Sequence, residues 1–270
     1  MSKMPISLNQ LKTWQGEAVE VGKDLGLMTV NLTEKELIRF GRSFERQFIR
    51  NLPERQSVDI HLRHLPEALL GALIAKEQMD QEIDGEVPAS NKIGGPYPIR
   101  AAWLGVGDDW EDLLGIYGGT QNSWTTGAVA NWIHSGTSLL GGTGGNAVRI
   151  LENAVHIIYG LYSVHASPKI ESVQFTIDGK TKPPQYLHWA QKCNPGKGQF
   201  IKELDSCYIL KKDTTFRAQV FISNAFGAAA EFQVDYPALF GVSYVKEPPL
   251  RERFDPAGLP GTVHNVITTS

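Results

Sequence analysis

The chain has 270 residues, 41% hydrophobic and 20% charged, an ordinary globular composition with apolar material for one large domain or two modest ones. Its 26 basic and 29 acidic residues leave a formal charge of -3, which excludes a global positive field for nucleic acid, so any anion contact has to be local. Cys193 and Cys207 are the only cysteines, too few for a disulfide framework and without the paired spacing of a zinc site.

At the amino terminus, Met1 to Ser7 holds no basic segment followed by an apolar run, and a stretch of about 18 uninterrupted apolar residues occurs nowhere. The sequence therefore predicts no secretory signal, no membrane-spanning helix and synthesis in the cytoplasm. Asn31-Leu-Thr33 fits the glycosylation sequon, but without secretion helix capping explains it better. Ser7 with Gln10 and Thr33 with Glu36 both match the capping box and predict two helix starts. The second helix carries Leu37, Phe40, Phe44 and Phe48 as one apolar stripe that needs a partner surface. Largely opposite lie Arg39, Arg42, Arg46 and Arg50, with Glu34, Glu36 and Glu45 near enough for local ion pairs. Gln56 to Leu62 reads as a short strand. A third helix starts at Leu65-Pro66 and runs through Leu69, Leu70, Leu73, Ile74 and Met79.

From Asp84 to Pro98 the chain turns polar and rich in Gly and Pro, which marks a loop. Between Ala101 and Leu151 short helical pieces alternate with glycines: Asp108 caps Trp110 to Tyr117, and Thr126 precedes Val129, Trp132 and Ile133. Val155 to Val164 is apolar on both parities, so it is either a strand buried on both faces or the end of a helix that starts near Asn146.

The last third reads as strands. In Ile170 to Ile177, Val173, Phe175 and Ile177 alternate with Ser172, Gln174 and Thr176, and Asp178-Gly179 supplies a turn that tolerates positive φ. Phe216, Ala218, Val220 and Ile222 alternate with Thr215, Arg217, Gln219 and Phe221, and Ala230, Phe232 and Val234 with Glu231 and Gln233. Tyr186 to Trp189, Phe200 to Leu204, Cys207 to Leu210 and Phe240 to Val245 complete seven or eight short segments without a βαβ helix between them. The predicted fold is mainly β with a helical amino-terminal part, an antiparallel β-sandwich of jelly-roll type. Its predicted segments are a helical region at 1–84, a Gly-rich insert with short helices at 85–154, the sandwich at 155–246 and an extended arm at 247–270.

Catalytic chemistry finds little support. Leu139-Leu-Gly-Gly-Thr-Gly-Gly-Asn-Ala-Val148 resembles a dinucleotide loop, yet no βαβ strand precedes it and no acidic residue closes a second strand about twenty positions later. Asp108-Asp109-Trp-Glu-Asp112 is better explained as an acidic first helical turn than as a metal site. His61 and His64 lack the intervening Glu of a zincin; His134, His156, His165, His188 and His264 are dispersed. No Gly-x-Ser-x-Gly elbow or Walker loop is present, neither cysteine sits in a nucleophile signature, and Asn194-Pro-Gly-Lys-Gly198 is a turn. The sequence thus assigns no catalytic residue, cofactor or metal, and leaves Arg39, Arg42, Arg46 and Arg50 as a candidate anion or partner contact, since guanidinium groups grip phosphates and carboxylates bidentately.

Lys169-Ile-Glu-Ser-Val-Gln-Phe-Thr-Ile-Asp-Gly-Lys180, with Tyr208-Ile-Leu210, Thr214 to Ile222 and Phe240-Gly-Val-Ser-Tyr-Val245, resembles the jelly-roll part of major capsid proteins from icosahedral, non-tailed, double-stranded DNA viruses of bacteria and archaea. The resemblance spans about residues 155–245, and the helical amino-terminal third departs from a plain double roll. It implies an eight-stranded roll that tiles a virion shell by self-assembly, and a non-enzymatic chain without a small-molecule substrate. The implied partners are further copies, other virion proteins, and a membrane or nucleic acid beneath the arginine face. A carbohydrate- or ligand-binding sandwich with Trp124, Trp132, Tyr186 and Trp189 as stacking residues, and an enzyme using Gly141 to Gly145 for a nucleotide cofactor, are the alternatives.

Overall fold

The computed structural model describes residues 6–51, 55–80, 99–104, 111–112, 132–134, 148–150, 152–162, 170–186, 201–222 and 238–246. Four helices come first: α1 (Leu8–Asp24), α2 (Glu34–Asn51), α3 (Arg55–Arg63) and α4 (Leu65–Met79). The described strands follow: β1 (Ile99–Leu104), β2 (Glu111–Asp112), β3 (Trp132–His134), β4 (Val148–Arg149), β5 (Ala154–Tyr162), β6 (Ile170–Ile177), β7 (Lys180–Thr181), β8 (Gln185–Tyr186), β9 (Ile201–Leu210), β10 (Thr215–Ile222) and β11 (Ala238–Lys246). They form two antiparallel sheets, as in a β-sandwich. One has the order β1-β11-β5-β9 with β2 beside β11; the other has β3-β10-β6-β7 with β4 beside β10 and β8 beside β6.

The chain divides into two compact units, one of Met1–Asp109, Leu151–Ile157 and Gly241–Ser270, the other of Trp110–Ile150 and Ile158–Phe240. In the first, both capping boxes form as expected. Ser7 Oγ accepts from Gln10 N at 3.3 Å while Gln10 Oε1 accepts from Ser7 N at 2.9 Å, and Thr33 and Glu36 make the same exchange at 3.3 and 2.7 Å. Leu37, Phe40 and Phe44 of the α2 stripe are buried, whereas the Phe48 side chain lies outside the described residues. Gln56 to Leu62, expected as a strand, is instead part of α3. Val58, Ile60 and Leu62 alternate, but of these only Ile60 is buried, together with its neighbour His61.

α4 is apolar nearly all round, and Leu65, Ala68 to Ala75 and Met79 are buried. One side lies on β5 and β11. There Gly71 is so close to the sheet that a Cβ would collide with Ile157 Cγ1 and stand 2.9 Å from Tyr244 Cε2. Tyr244 is fully buried and its hydroxyl donates to the Ala68 carbonyl at 2.5 Å; burial pushes its pKa well above the ordinary phenol value. Farther along, Gln78 Nε2 donates to the carbonyls of Glu152 and Ala154 at 2.8 and 3.0 Å. Between Ala154 and Ile157 every β5 residue is buried, which resolves the strand-or-helix ambiguity in favour of a strand covered on both faces.

In the second unit, β6 is the expected half-buried strand with Val173 and Phe175 inside. Asp178 and Gly179, at φ 49 and 73, join it to β7 by a two-residue hairpin that pairs Ile177 with Lys180. The two sheets meet through aromatic rings. Phe175 of β6 stands edge-on to Tyr208 of β9 at 5.4 Å and lies 5.4 Å from Phe216 of β10. Burial and the Asp205 charge raise the Tyr208 pKa, while a hydrogen bond with buried Gln185 of β8 acts against them. β9 runs unbroken from Ile201 to Leu210, where two segments were expected, because exposed Asp205 and Ser206 continue the strand. Nor are the middle segments helical where described. Glu111–Asp112 pairs with Ala238 and Leu239, and Trp132–His134 pairs with β10, so backbone partners distant in sequence outweigh the local capping signals of Asp108 and Thr126. The expected strand at 230–234, the arm at 247–270 and the glycine loop at 139–146 lie outside the described residues.

Two outcomes follow for this packing. Gly71→Ala lowers stability by about 1–3 kcal/mol in thermal or denaturant unfolding, because the added Cβ collides with Ile157 and Tyr244, both fully buried. A phenol whose folded pKa is raised contributes stability that is whole below its ordinary value of 10.0 and is lost as pH climbs from there toward the folded value. Stability therefore falls above about pH 10, and falls less steeply in Tyr244→Phe, at a cost near neutrality of about 1 kcal/mol for the lost hydrogen bond.

Candidate functional site

The end of α1 builds the most exposed apolar surface among the described residues. Its other side is fixed: Leu11, Ala18 and Gly22 are buried, and a Cβ on Gly22 would stand 3.0 Å from Thr29 Cγ2 and 3.2 Å from Leu70 Cδ1. The helix closes in a Schellman arrangement, with Leu27 N donating to the Gly22 carbonyl at 2.8 Å and Gly26 N to that of Lys23 at 2.9 Å; Gly26 takes φ +66. That reversal sends the chain back along α1, where Gln15 holds Leu32 through both its amide and its carbonyl. The result leaves Val21, Leu25, Met28 and Val30 on the surface, Leu25 at 58% and Met28 at 75% exposure. They are four of the five large apolar residues that are exposed among those described, so the apolar surface is concentrated in one ten-residue stretch. Glu17, Glu20, Lys23 and Asp24 are exposed on the same stretch of helix. The sequence reading missed this surface, because α1 by itself is only weakly apolar and the patch exists only once the Gly26 turn adds Met28 and Val30 to Val21 and Leu25.

Positions 39, 42, 46 and 50 share one face of α2 by helical period. Arg39 is half-buried and Arg42 exposed, and both already engage other groups; the side chains of Arg46 and Arg50 lie outside the described residues. The structure therefore gathers the four positions on one helix without displaying four guanidinium groups.

Buried polar groups serve packing. Glu36, 2% exposed, accepts from Thr33 N, from Thr33 Oγ1 at 2.8 Å and from Lys76 Nζ at 2.7 Å, and Lys76 also donates to the Asn31 carbonyl. One carboxylate thus caps α2 and ties it to α4. His156 Nδ1 and Ser243 Oγ lie 2.7 Å apart on neighbouring strands, a nucleophile-and-base pairing that 87 residues of separation hid from the sequence reading. Both residues are buried, at 2% and 6% exposure, and closed to a substrate. His61 is buried in α3, and Cys207 is half-buried on β9. Among the described residues no group of three or more His, Cys, Asp or Glu side chains is arranged to hold a metal ion. Asp108 and Asp109, Cys193, Trp124, Trp189 and the glycine loop from Gly141 to Gly145 lie outside the described residues; Trp132 is described only as backbone of β3, and Tyr186 is exposed on β8.

No protein-family model matches this sequence, and no curated protein matches it. Among the described residues no helix is long and apolar enough to cross a membrane.

The Glu36 assignment is open to a direct check. Glu36→Gln keeps an acceptor for the Thr33 amide but removes the counter-charge, leaving the Lys76 ammonium 18% exposed. Unfolding measurements should show a loss of about 2–3 kcal/mol, short of the full penalty of a sealed pair, and Lys76→Met in the same chain should restore part of it.

Proposed function

We propose that this chain is a virion structural protein, a self-assembling capsid subunit built on a jelly roll, as the resemblance of the strand series to major capsid proteins of non-tailed icosahedral viruses implies. The observation that carries the proposal is the apolar patch of Val21, Leu25, Met28 and Val30. Folded chains that work alone rarely gather exposed apolar side chains in one place, because their hydration is unfavourable unless another surface covers them. A second copy of the chain is the occupant proposed for it. Lys23 lies among Glu17, Glu20 and Asp24, so each copy offers one cation to the carboxylates of the other.

The sandwich supports the same reading. Two antiparallel sheets that meet where Phe175 stands against Tyr208, with Phe216 beside Phe175 in its own sheet, make a body that can bear loops and terminal segments. Jelly-roll connectivity is the finer form of this architecture that the proposal adopts. Other virion proteins, and a membrane or nucleic acid facing α2, are further partners under this reading. The chain needs no catalytic group for such work, and its buried His156 and Ser243 act as a strand-to-strand hydrogen bond.

Exchanging the two most exposed members of the patch tests the proposal. Leu25→Lys with Met28→Lys should leave the thermal transition of the chain within about 1 kcal/mol, since both positions are exposed. Electron microscopy of the unaltered protein should show particles, and of the double variant free subunits. Particles formed equally by both proteins would reject the patch as the contact.

A further inference from the structure

One face of the six-stranded sheet carries a polar array that packing does not require. Val173 and Phe175 of β6 and Phe216 and Ala218 of β10 are buried on one side. The residues that alternate with them, Gln174 and Thr176 on β6 and Arg217 and Gln219 on β10, therefore belong to the other. Register sets them in rows. Arg217 stands opposite Thr176, and Thr176 opposite Thr181 of β7; Gln219 stands opposite Gln174; in the next row Phe221 stands opposite Ser172, and Ser172 opposite Tyr186 of β8. Facing positions have Cβ atoms about 5 Å apart and successive rows lie roughly 7 Å apart, so the rows make one continuous patch. Gln174, Thr176, Arg217 and Gln219 are half-buried, and Thr181 is exposed. Gln174 Nε2 donates to the Lys182 carbonyl at 3.0 Å, and the Thr176 and Thr181 hydroxyls lie 3.4 Å apart, which fixes that part of the patch.

Arg217 is the exceptional member. Among the described residues it has no ion pair, and its Nε is closed to solvent without a hydrogen-bond partner. A buried donor left unmatched is costly, and a guanidinium takes an acidic oxygen best. The charged neighbours are committed or turned away. Arg149 holds Asp213 through Nη2 at 2.7 Å, and the Asp178 carboxylate accepts from Thr215 N at 2.8 Å. Lys180 and Lys182 flank Thr181 and alternate with it to the other side. Glu171, on the same strand as Thr176, is five positions from it, roughly 17 Å along β6.

We infer that this face binds a saccharide bearing a carboxylate, with Arg217 on the carboxylate and Gln174, Gln219, Thr176 and Thr181 on the sugar hydroxyls. Amides and hydroxyls both donate and accept, as sugar hydroxyls do, so each finds its match. One cation among neutral groups fits a ligand with one charge among many hydroxyls, whereas a nucleic acid would need a run of cations. An acidic peptide has no strand to join here, because β6 and β10 are both inner strands whose backbone groups are taken by the ladder. Its carboxylates would also leave the amide and hydroxyl oxygens without donors. Tyr186, 44% exposed, adds ring surface next to the amides; it and Phe221 have other contacts already, and the binding rests on Arg217 and the amides. One copy of the chain suffices, so the contact stands or falls separately from self-assembly.

Isothermal titration calorimetry of the full chain with sialyllactose and with a glucuronic acid disaccharide, each beside its methyl ester, tests this. At least one acid should bind, and its ester, which keeps the hydroxyls and loses the charge, should bind about tenfold more weakly or worse. That comparison needs no variant. Arg217→Gln should erase the difference between acid and ester, and Arg217→Lys, which keeps the charge without the fork, should restore part of it. Gln219→Ala should weaken acid and ester alike, by about 2- to 10-fold, while Lys180→Gln on the other side should change neither. Matching unfolding curves confirm that the variants fold. Equal affinity for acid and ester overturns the inference, as does an Arg217→Gln chain that still prefers the acid. Absence of binding by both acids up to about 10 mM overturns it too. Hexaglutamate bound as tightly as the better acid overturns it in favour of an acidic peptide.

Discussion

The first unit depends on how closely α4 can approach β5 and β11. Gly71 removes the one Cβ that would hold helix and sheet apart, and Tyr244 fills the adjoining space while giving its hydroxyl to the helix at Ala68. Because α4 is apolar nearly all round, it accepts cover on several sides: the sheet on one, Leu70 beneath Gly22 of α1 on another, and Lys76 reaching to the cap of α2. A charged residue is tolerated in that layer because the Glu36 carboxylate accepts from three donors at once, two from Thr33 and one from Lys76. The second unit is organised by rings instead, with Phe175 shared between Tyr208 of one sheet and Phe216 of its own.

Local chemistry was legible in the sequence wherever the deciding contacts are close along the chain. Both capping boxes satisfy amides three residues away, and Asp178-Gly179 closes a hairpin over two residues, so each is written in a short phrase. Helix α4 was visible because its apolar run is long and starts at Leu65-Pro66. The failures share one cause. Gln56 to Leu62 alternates as a strand would, and only the burial of the adjacent Ile60 and His61 marks it as helix. At Glu111 and Trp132 a capping signal was outweighed by strands more than eighty residues away, β11 and β10, which no local window contains.

The candidate surfaces divide in the same way. The arginine spacing was plain in the sequence, yet whether those groups are available is a matter of their partners, and Arg39 and Arg42 are engaged. The apolar patch could not be read beforehand, since it joins residues on either side of the Gly26 reversal. The buried polar groups Glu36, His156, Ser243 and Tyr244 hold elements together, while four of the five exposed large apolar residues among those described gather at the end of α1. Such a distribution suits a protein that works by contact with other macromolecules.

The central claim is that this chain acts by assembling with copies of itself. Sedimentation equilibrium across a wide concentration range tests it most directly, because it weighs whatever the chain forms. The account predicts a mass that rises with concentration to many multiples of the 29.8 kDa chain. A mass that remains 29.8 kDa throughout would contradict it.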